Sequence, residues 1–298
     1  TSLSGIKALA GAQNITAKVS DSATITVAKG LMLQNLGASL TQGVTLTVAD
    51  TAANIATLAG NLKAVLSGST LAVTGAVTAT DMDGLMSIAQ SAPNSVLSLS
   101  QAVVSGSLTV AEATFAQSHG YSGTFVLQDS ADQVLTGLQG HGDAGVFAAA
   151  SSVAVTGAVS AADYYSLLNL AGTGVGPNGI GTIDLTHVTI SGGTANQLLD
   201  PSIAAHLANT NVQITGGHGN SDNAVTVAQI SQLKAISALG AGQLRQVTVS
   251  DTVANLTSSA ALKLLTATGA PVTVSDDATV TLATATKLLA VHATSSSG

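Results

Sequence analysis

At 298 residues with a net charge of −7, the chain has 15 acidic side chains, 8 basic ones and no cysteine. Disulfides and thiolate metal sites are excluded, and the charge balance argues against a phosphate-binding or membrane-surface face, which needs clustered Lys and Arg. Apolar residues are 46% of the chain, aromatics 2% and charged residues 8%, a composition suited to thin layers of small side chains and unlike that of a disordered chain.

In chain order, a strand phrase first closes at Asp21, in Lys18-Val-Ser-Asp21, and then returns. It closes at Asp50, Gly75, near Ser100, at Asp129, at Gly157, near His187, at Gly216, at Asp251 and at Asp276. The step is roughly 25 to 35 residues, the range of solenoids and stacked arrays. Apolar and polar residues alternate before each closure, as in Val212 and Ile214, which is the period of a half-buried strand.

Helix starts follow the closures. Asp50-Thr-Ala-Ala-Asn and Asp251-Thr-Val-Ala-Asn pass directly into Leu-rich segments, with Asp or Thr placed to cap. Thr109-Val-Ala-Glu112 and Thr226-Val-Ala-Gln229 spell capping boxes. Thr78-Ala-Thr-Asp81 and Ser160-Ala-Ala-Asp163 put a carboxylate near the positive end of a helix. Leu85, Met86 and Ile88 follow the first of these, and Leu167, Leu168 and Leu170 the second. In the repeat 211–240, Ile230, Leu233, Ile236 and Leu239 are expected on one helical face, with Gly240 as its stop. Thr281 precedes Leu288 and Leu289 in the last repeat.

This grammar predicts an α/β solenoid over 1–298. It would have about ten right-handed coils of about 28 residues, with a parallel sheet on one wall and short helices on the other. An all-β parallel β-helix, in which the Leu-rich segments are loops, is the alternative. The Gly-rich stretch 171–181 reads as a protrusion or hinge. All six aromatics lie between Phe115 and Tyr165; they read either as fillers of wider middle coils or as a contact patch.

Asp21, Asp50, Asp129, Asp251 and Asp276 share one position after a strand, and Asp277 adds a second carboxylate to the last of them. Stacked about 4.8 Å apart, such carboxylates repel unless compensated. They either hold Ca2+, a hard cation that takes oxygen ligands, or cap turns and helices. The turn Gly216-Gly-His-Gly-Asn-Ser-Asp222 partly matches a calcium-binding nonapeptide but does not recur in tandem. The histidines show no zinc spacing. His141 and Asp143 are the one close His/Asp pair, with no Gly-x-Ser-x-Gly elbow elsewhere. A single Glu112 and a single Arg245 leave little for acid–base chemistry, so no enzyme is expected. Thr45, Thr47, Thr74, Thr248 and Thr273 could form a strand-face row of the kind used in ice binding.

The phrases Val247-Thr-Val-Ser-Asp-Thr-Val-Ala-Asn-Leu256 and Ala224-Val-Thr-Val-Ala-Gln-Ile230 resemble the Thr/Ala-rich repeats of secreted bacterial surface proteins. These include S-layer proteins, RTX-type adhesins and extracellular filament subunits. The resemblance implies an extracellular protein at the bacterial surface, often stabilised by calcium. The expected function is end-to-end self-assembly into a filament or layer, with copies of itself as partners. The alternative is a monomeric adhesin for a surface glycan, or an ice binder. No apolar run reaches the length of a membrane span, and no nucleic-acid partner is expected. Thr1 in place of Met fits a processed chain or a portion of a longer one. Neither end looks blunted: Leu288, Leu289 and Val291 close the last coil.

Overall fold

The computed structural model describes residues 17–58, 66, 68–91, 94–139, 144–172 and 183–295. It is a mixed α/β fold with parallel sheets, and the Leu-rich segments are helices rather than loops. The chain divides into two compact units: Thr1–Asp129 with Thr136–Ala154 and Gly174–Asp184, and Ser130–Leu135 with Val155–Thr173 and Leu185–Gly298.

In the first unit, strands Ala23–Ile25, Leu46–Asp50, Thr70–Val77 and Val96–Val104 form a parallel sheet in chain order. Lys18–Val19 pairs with Ser39–Leu40, and Ser107–Leu108 with Phe125–Ser130. Alternation decides which face is covered: Leu46 and Val48 are buried while Thr47 between them is half-exposed. Leu71, Val73 and Leu99 continue that inner face, and Ile55, Leu58, Met82, Leu85 and Ile88 close over it from the helical side. Each such side chain stabilises the fold by about 1.5–3 kcal/mol through burial. Helices Ala52–Ala56 and Ala79–Ser91 approach closely because Gly84 has no side chain; a Cβ there would lie 3.1 Å from the Ala56 Cβ.

In the second unit, Gly192 and Gly193 at the end of strand Ile183–Gly193 pair with Gln213–Ile214, and Ala224–Val225, Thr248–Asp251, Val272–Val274 and Thr294–Ser295 form a second parallel sheet in chain order. Ile190, Val212, Val225, Val249 and Val272 are buried in the second unit, as are Leu198, Ile230, Leu233, Leu256 and Leu265.

Most expected helix starts are present. Thr109 with Glu112, and Thr226 with Gln229, form complete capping boxes, and Thr194 with Gln197 forms a third that was not anticipated. One helix is shorter than expected. Val227–Ala235 ends before Ile236, whose backbone is extended, so Ile236 and Leu239 are not on its face. The chain leaves the helix early because Leu239 bridges to Val212 and Gly240 donates to the Val212 carbonyl at 2.9 Å. Gly240 is therefore part of a strand pairing and not a helix stop. Of the Gly-rich stretch, residues 173–181 lie outside the described residues.

Candidate functional site

The acids that close the strands do one thing repeatedly. Val27 is the first residue of helix Val27–Asn35, and its N–H is one of the donors that a helix start leaves without an intrahelical acceptor. In the parallel ladder Ile25 pairs with Val48, so Asp50 stands two residues on, level with Val27. The Asp50 carboxylate accepts the Val27 N–H at 3.1 Å. Asp129 accepts from Val110 at 3.0 Å, Asp251 from Val227 at 2.9 Å and Asp276 from Val253 at 2.9 Å. In these four places a repeat thus caps the helix of the repeat before it, and a negative charge meets the positive end of that helix.

The second oxygen is also used. Asp50 Oδ1 accepts from the Thr51 N–H at 2.9 Å and the Asn54 amide at 2.7 Å. Asp251 Oδ1 repeats this with Thr252 at 2.8 Å and Asn255 at 2.7 Å. Partial burial pushes both carboxyls up, but the bonds from Asn54, Thr51 and Val27 outweigh it at Asp50. Those from Asn255, Val227 and Thr252 do so at Asp251. Both carboxyls are held below the usual carboxylate range. Thr51 and Thr252 cap their own helices, accepting from Asn54 and Asn255. The sequence spelling left open whether Asp or Thr was the cap. Both are, on different helices.

Where Asp is missing the first helical residue changes with it. Ala52 lies level with Gly75, Ala79 with Gly106 and Ala195 with Gly216, two residues beyond Asp50↔Val73, Val77↔Val104 and Gly193↔Ile214. These three glycines have φ of 80°, 87° and 86°, so the strand turns where the Asp would stand. At Ala195 the lost acceptor is replaced from further along. Asn223, fully buried, accepts the Ala195 N–H at 2.7 Å and donates to the Thr215 and Gly217 carbonyls. That assigns the Gly216–Asn223 turn a structural task, with Asp222 exposed at its surface. A signal for the cross-repeat cap was available: a Thr-Val pair precedes Asp50, Asp251 and Asp276 by 23, 24 and 23 residues, measured from Val.

The remaining expected site residues are dispersed. Asp21 is exposed and accepts the Ser20 hydroxyl at 3.1 Å, and Asp277 is exposed. Among the described residues there is no group of three or more His, Asp or Glu placed to hold a metal ion. The single Glu112 is buried in its capping box, accepting from the Thr109 N–H and hydroxyl at 2.7 Å. His141 and Asp143 lie outside the described residues. The expected Thr row is not one row: Thr47 stands beside Thr24 and Thr70, Thr74 beside Gln101, and Thr273 beside Ser250 and Thr294. Of the aromatics, Tyr121, Phe125, Phe147 and Tyr164 are buried, as fillers would be. Tyr165 donates to Asp200 at 2.7 Å. In the second unit an open cleft of about 700 Å3 is lined by Thr226, Ser231, Lys234, Asp251, Asn255 and Ser258. No described helix is long and apolar enough to cross a membrane.

The last repeat differs from the others. Ser275-Asp-Asp-Ala-Thr-Val-Thr-Leu282 respells Ser20-Asp-Ser-Ala-Thr-Ile-Thr-Val27 and Ser221-Asp-Asn-Ala-Val-Thr-Val227. In those two places the strand segment is paired by the next repeat and Val27 or Val227 is capped by its Asp. Among the described residues Ala278–Val280 is in no sheet. Leu282 is 86% exposed, Leu289 72% and Val280 37%. Helix Leu282–Ala290 has no buried residue, although Thr281 caps it.

No family model matches this chain, and no curated protein or solved structure is detectably similar to it.

Proposed function

We propose that this chain is a structural protein of a bacterial cell surface, outside the cell, whose repeats wind as a right-handed α/β solenoid and whose copies join end to end into a filament or layer. The observation that carries the reading is the recurring link between repeats, in which Asp50, Asp129, Asp251 and Asp276 each accept from the first helical residue of the repeat before. These four caps tie neighbouring repeats together, as in a stacked array. Between copies, a heterologous contact that does not close propagates as a fibre. Asp50, Asp129, Asp251 and Asp276 are assigned to backbone donors, and no catalytic role is proposed.

Sedimentation velocity over a hundredfold range of concentration, followed by negative-stain electron microscopy, tests this. Growing linear particles are expected. A monomer at every concentration would remove assembly from the account.

A further inference from the structure

Cations are scarce in this chain, 8 in 298 residues, and Arg245 is the single arginine. Two of them line one cleft in the second unit. It is open, about 410 Å3 in volume, and brings Lys234 and Arg245 together with Ser237, Leu239, Gln243 and Leu244; among the described residues no acidic side chain lines it. That volume lies in the range of small-molecule sites. The fold explains why the cations stand there. Lys234 is in the last turn of helix Val227–Ala235. Arg245 lies over Gly269, the left-handed cap of helix Ser259–Thr268, where a Cβ would come within 3.4 Å of the Arg245 Nε. The carbonyl ends of helices favour cations. This placement leaves their donors unspent: among the described residues neither side chain has a hydrogen-bond or ion-pair partner. Gln243 adds a further donor. Its amide oxygen accepts the Ile214 N–H at 2.8 Å, so its NH2 group is what it offers the cleft.

We propose that this cleft binds a small molecule bearing one carboxylate, of the size of an acidic sugar. Two cations and an amide donor with no facing acid call for an anion. The planar guanidinium of Arg245 matches a carboxylate through two parallel bonds, and the Lys234 ammonium adds a point charge. The net charge of −7 repels a dianion such as a phosphate more than a monoanion. Leu239 and Leu244 give the body of the ligand an apolar wall beside the polar groups that orient it. Both cations are exposed, so binding weakens as salt screens them. The site lies within one chain and needs no contact between copies, so it stands apart from the assembly reading.

Because Arg245 is the single arginine, its Nε–H gives a unique side-chain signal in nuclear magnetic resonance of the isotope-labelled 298-residue chain. Sodium glucuronate is expected to shift that signal and the Gly240 and Gly242 amides together. The shifts should saturate with a dissociation constant on the order of 1 mM in low salt. The uncharged methyl ester of the same sugar and inorganic phosphate should each bind about tenfold more weakly or less. Lys234→Gln and Arg245→Gln, read at the glycine amides, should each weaken glucuronate binding about tenfold, with the melting temperature unchanged, as for other exposed substitutions. Equal binding of the ester would show that charge is not recognised, and equal or tighter binding of phosphate would show that the carboxylate is not; either overturns the proposal. Shifts that grow without saturating, or a Lys234→Gln variant that binds as the wild type does, overturn it as well.

Discussion

Asp251 accepts the backbone N–H of Val227 at 2.9 Å, across 24 residues of chain. The bond ties the end of one strand to the start of the previous helix, and the same carboxylate holds the Thr252 N–H and the Asn255 side chain. Cutting it therefore loosens two repeats at once. Asp251→Ala is expected to destabilise the chain by about 1–2 kcal/mol, the upper part of the range for a helix cap. Asp251→Asn keeps an acceptor for Val227 and is expected to cost less. Urea unfolding of both variants checks the order; equal losses would mean that charge and not the acceptor is what matters.

Asn223 should be the more costly position. It is fully buried, and its removal leaves the Ala195 N–H and the Thr215 and Gly217 carbonyls without their bonds. Asn223→Ala is expected to cost about 3 kcal/mol, since buried groups lose their partners outright. Asn223→Asp keeps the acceptor but loses both donated bonds, and should fall between. A loss under about 1 kcal/mol for the Ala variant would show that the turn re-forms around water.

The strand–helix rhythm was legible because its signals are local: alternation at Leu46–Val48, a Thr cap at Thr226 and the capping box at Thr109 each need only a few neighbouring residues. The duty of the acids was half legible. Their shared position after a strand was visible, but the Val27 N–H bound by Asp50 lies 23 residues away, and single-repeat reasoning cannot see it. The shortened helix Val227–Ala235 was missed for a related reason. Ile230, Leu233 and Ile236 keep helical spacing, yet pairing of Leu239 with Val212 pulls the chain out of the helix. Asn223 carried no signal at all, since its task exists only because Gly216 lacks a side chain.

Acid should act through the same caps. The Asp50 and Asp251 carboxyls lie below their ordinary value of 3.8 in the folded chain. As pH falls through that ordinary value the unfolded chain takes up protons first, so it binds more protons than the folded one and stability falls. Stability from these groups is complete above about pH 5 and is lost as pH drops through their folded values. Melting temperatures are therefore expected to be flat from neutral pH to about 5 and to decline below about 4. A chain carrying Asp50→Asn and Asp251→Asn should melt lower at neutral pH and decline less steeply in acid. An unchanged acid slope would place the titrating groups elsewhere.

Calcium is expected to do little to the folded chain. The carboxylates of Asp50 and Asp251 each have both oxygens engaged by N–H donors, and a cation would have to displace those bonds. A ligand that binds the folded state raises stability in proportion to its occupancy. Addition of millimolar CaCl2 should therefore leave the melting temperature unchanged, and chelator should not lower it. A rise of several degrees would show that the acids rearrange to ligate the ion.

Leu289 tests whether the last helix is shaped for a partner. Aligning Leu282 with Val227 sets Leu289 level with Lys234, a charged residue on the corresponding helix. An apolar side chain 72% exposed at that level contributes nothing to the isolated fold, because it leaves no water behind when the chain folds. Leu289→Lys should consequently leave the melting temperature of dilute protein within about 1 °C, as for other exposed substitutions. It should weaken self-association in sedimentation, because the apolar area that a neighbouring copy would cover is reduced and a charge must be desolvated on contact. If the variant assembles as the wild type does, Leu289 lies outside the contact and the apolar edge narrows to Val280 and Leu282. If it melts several degrees lower, the side chain packs within its own chain and its exposure is not a mark of an interface.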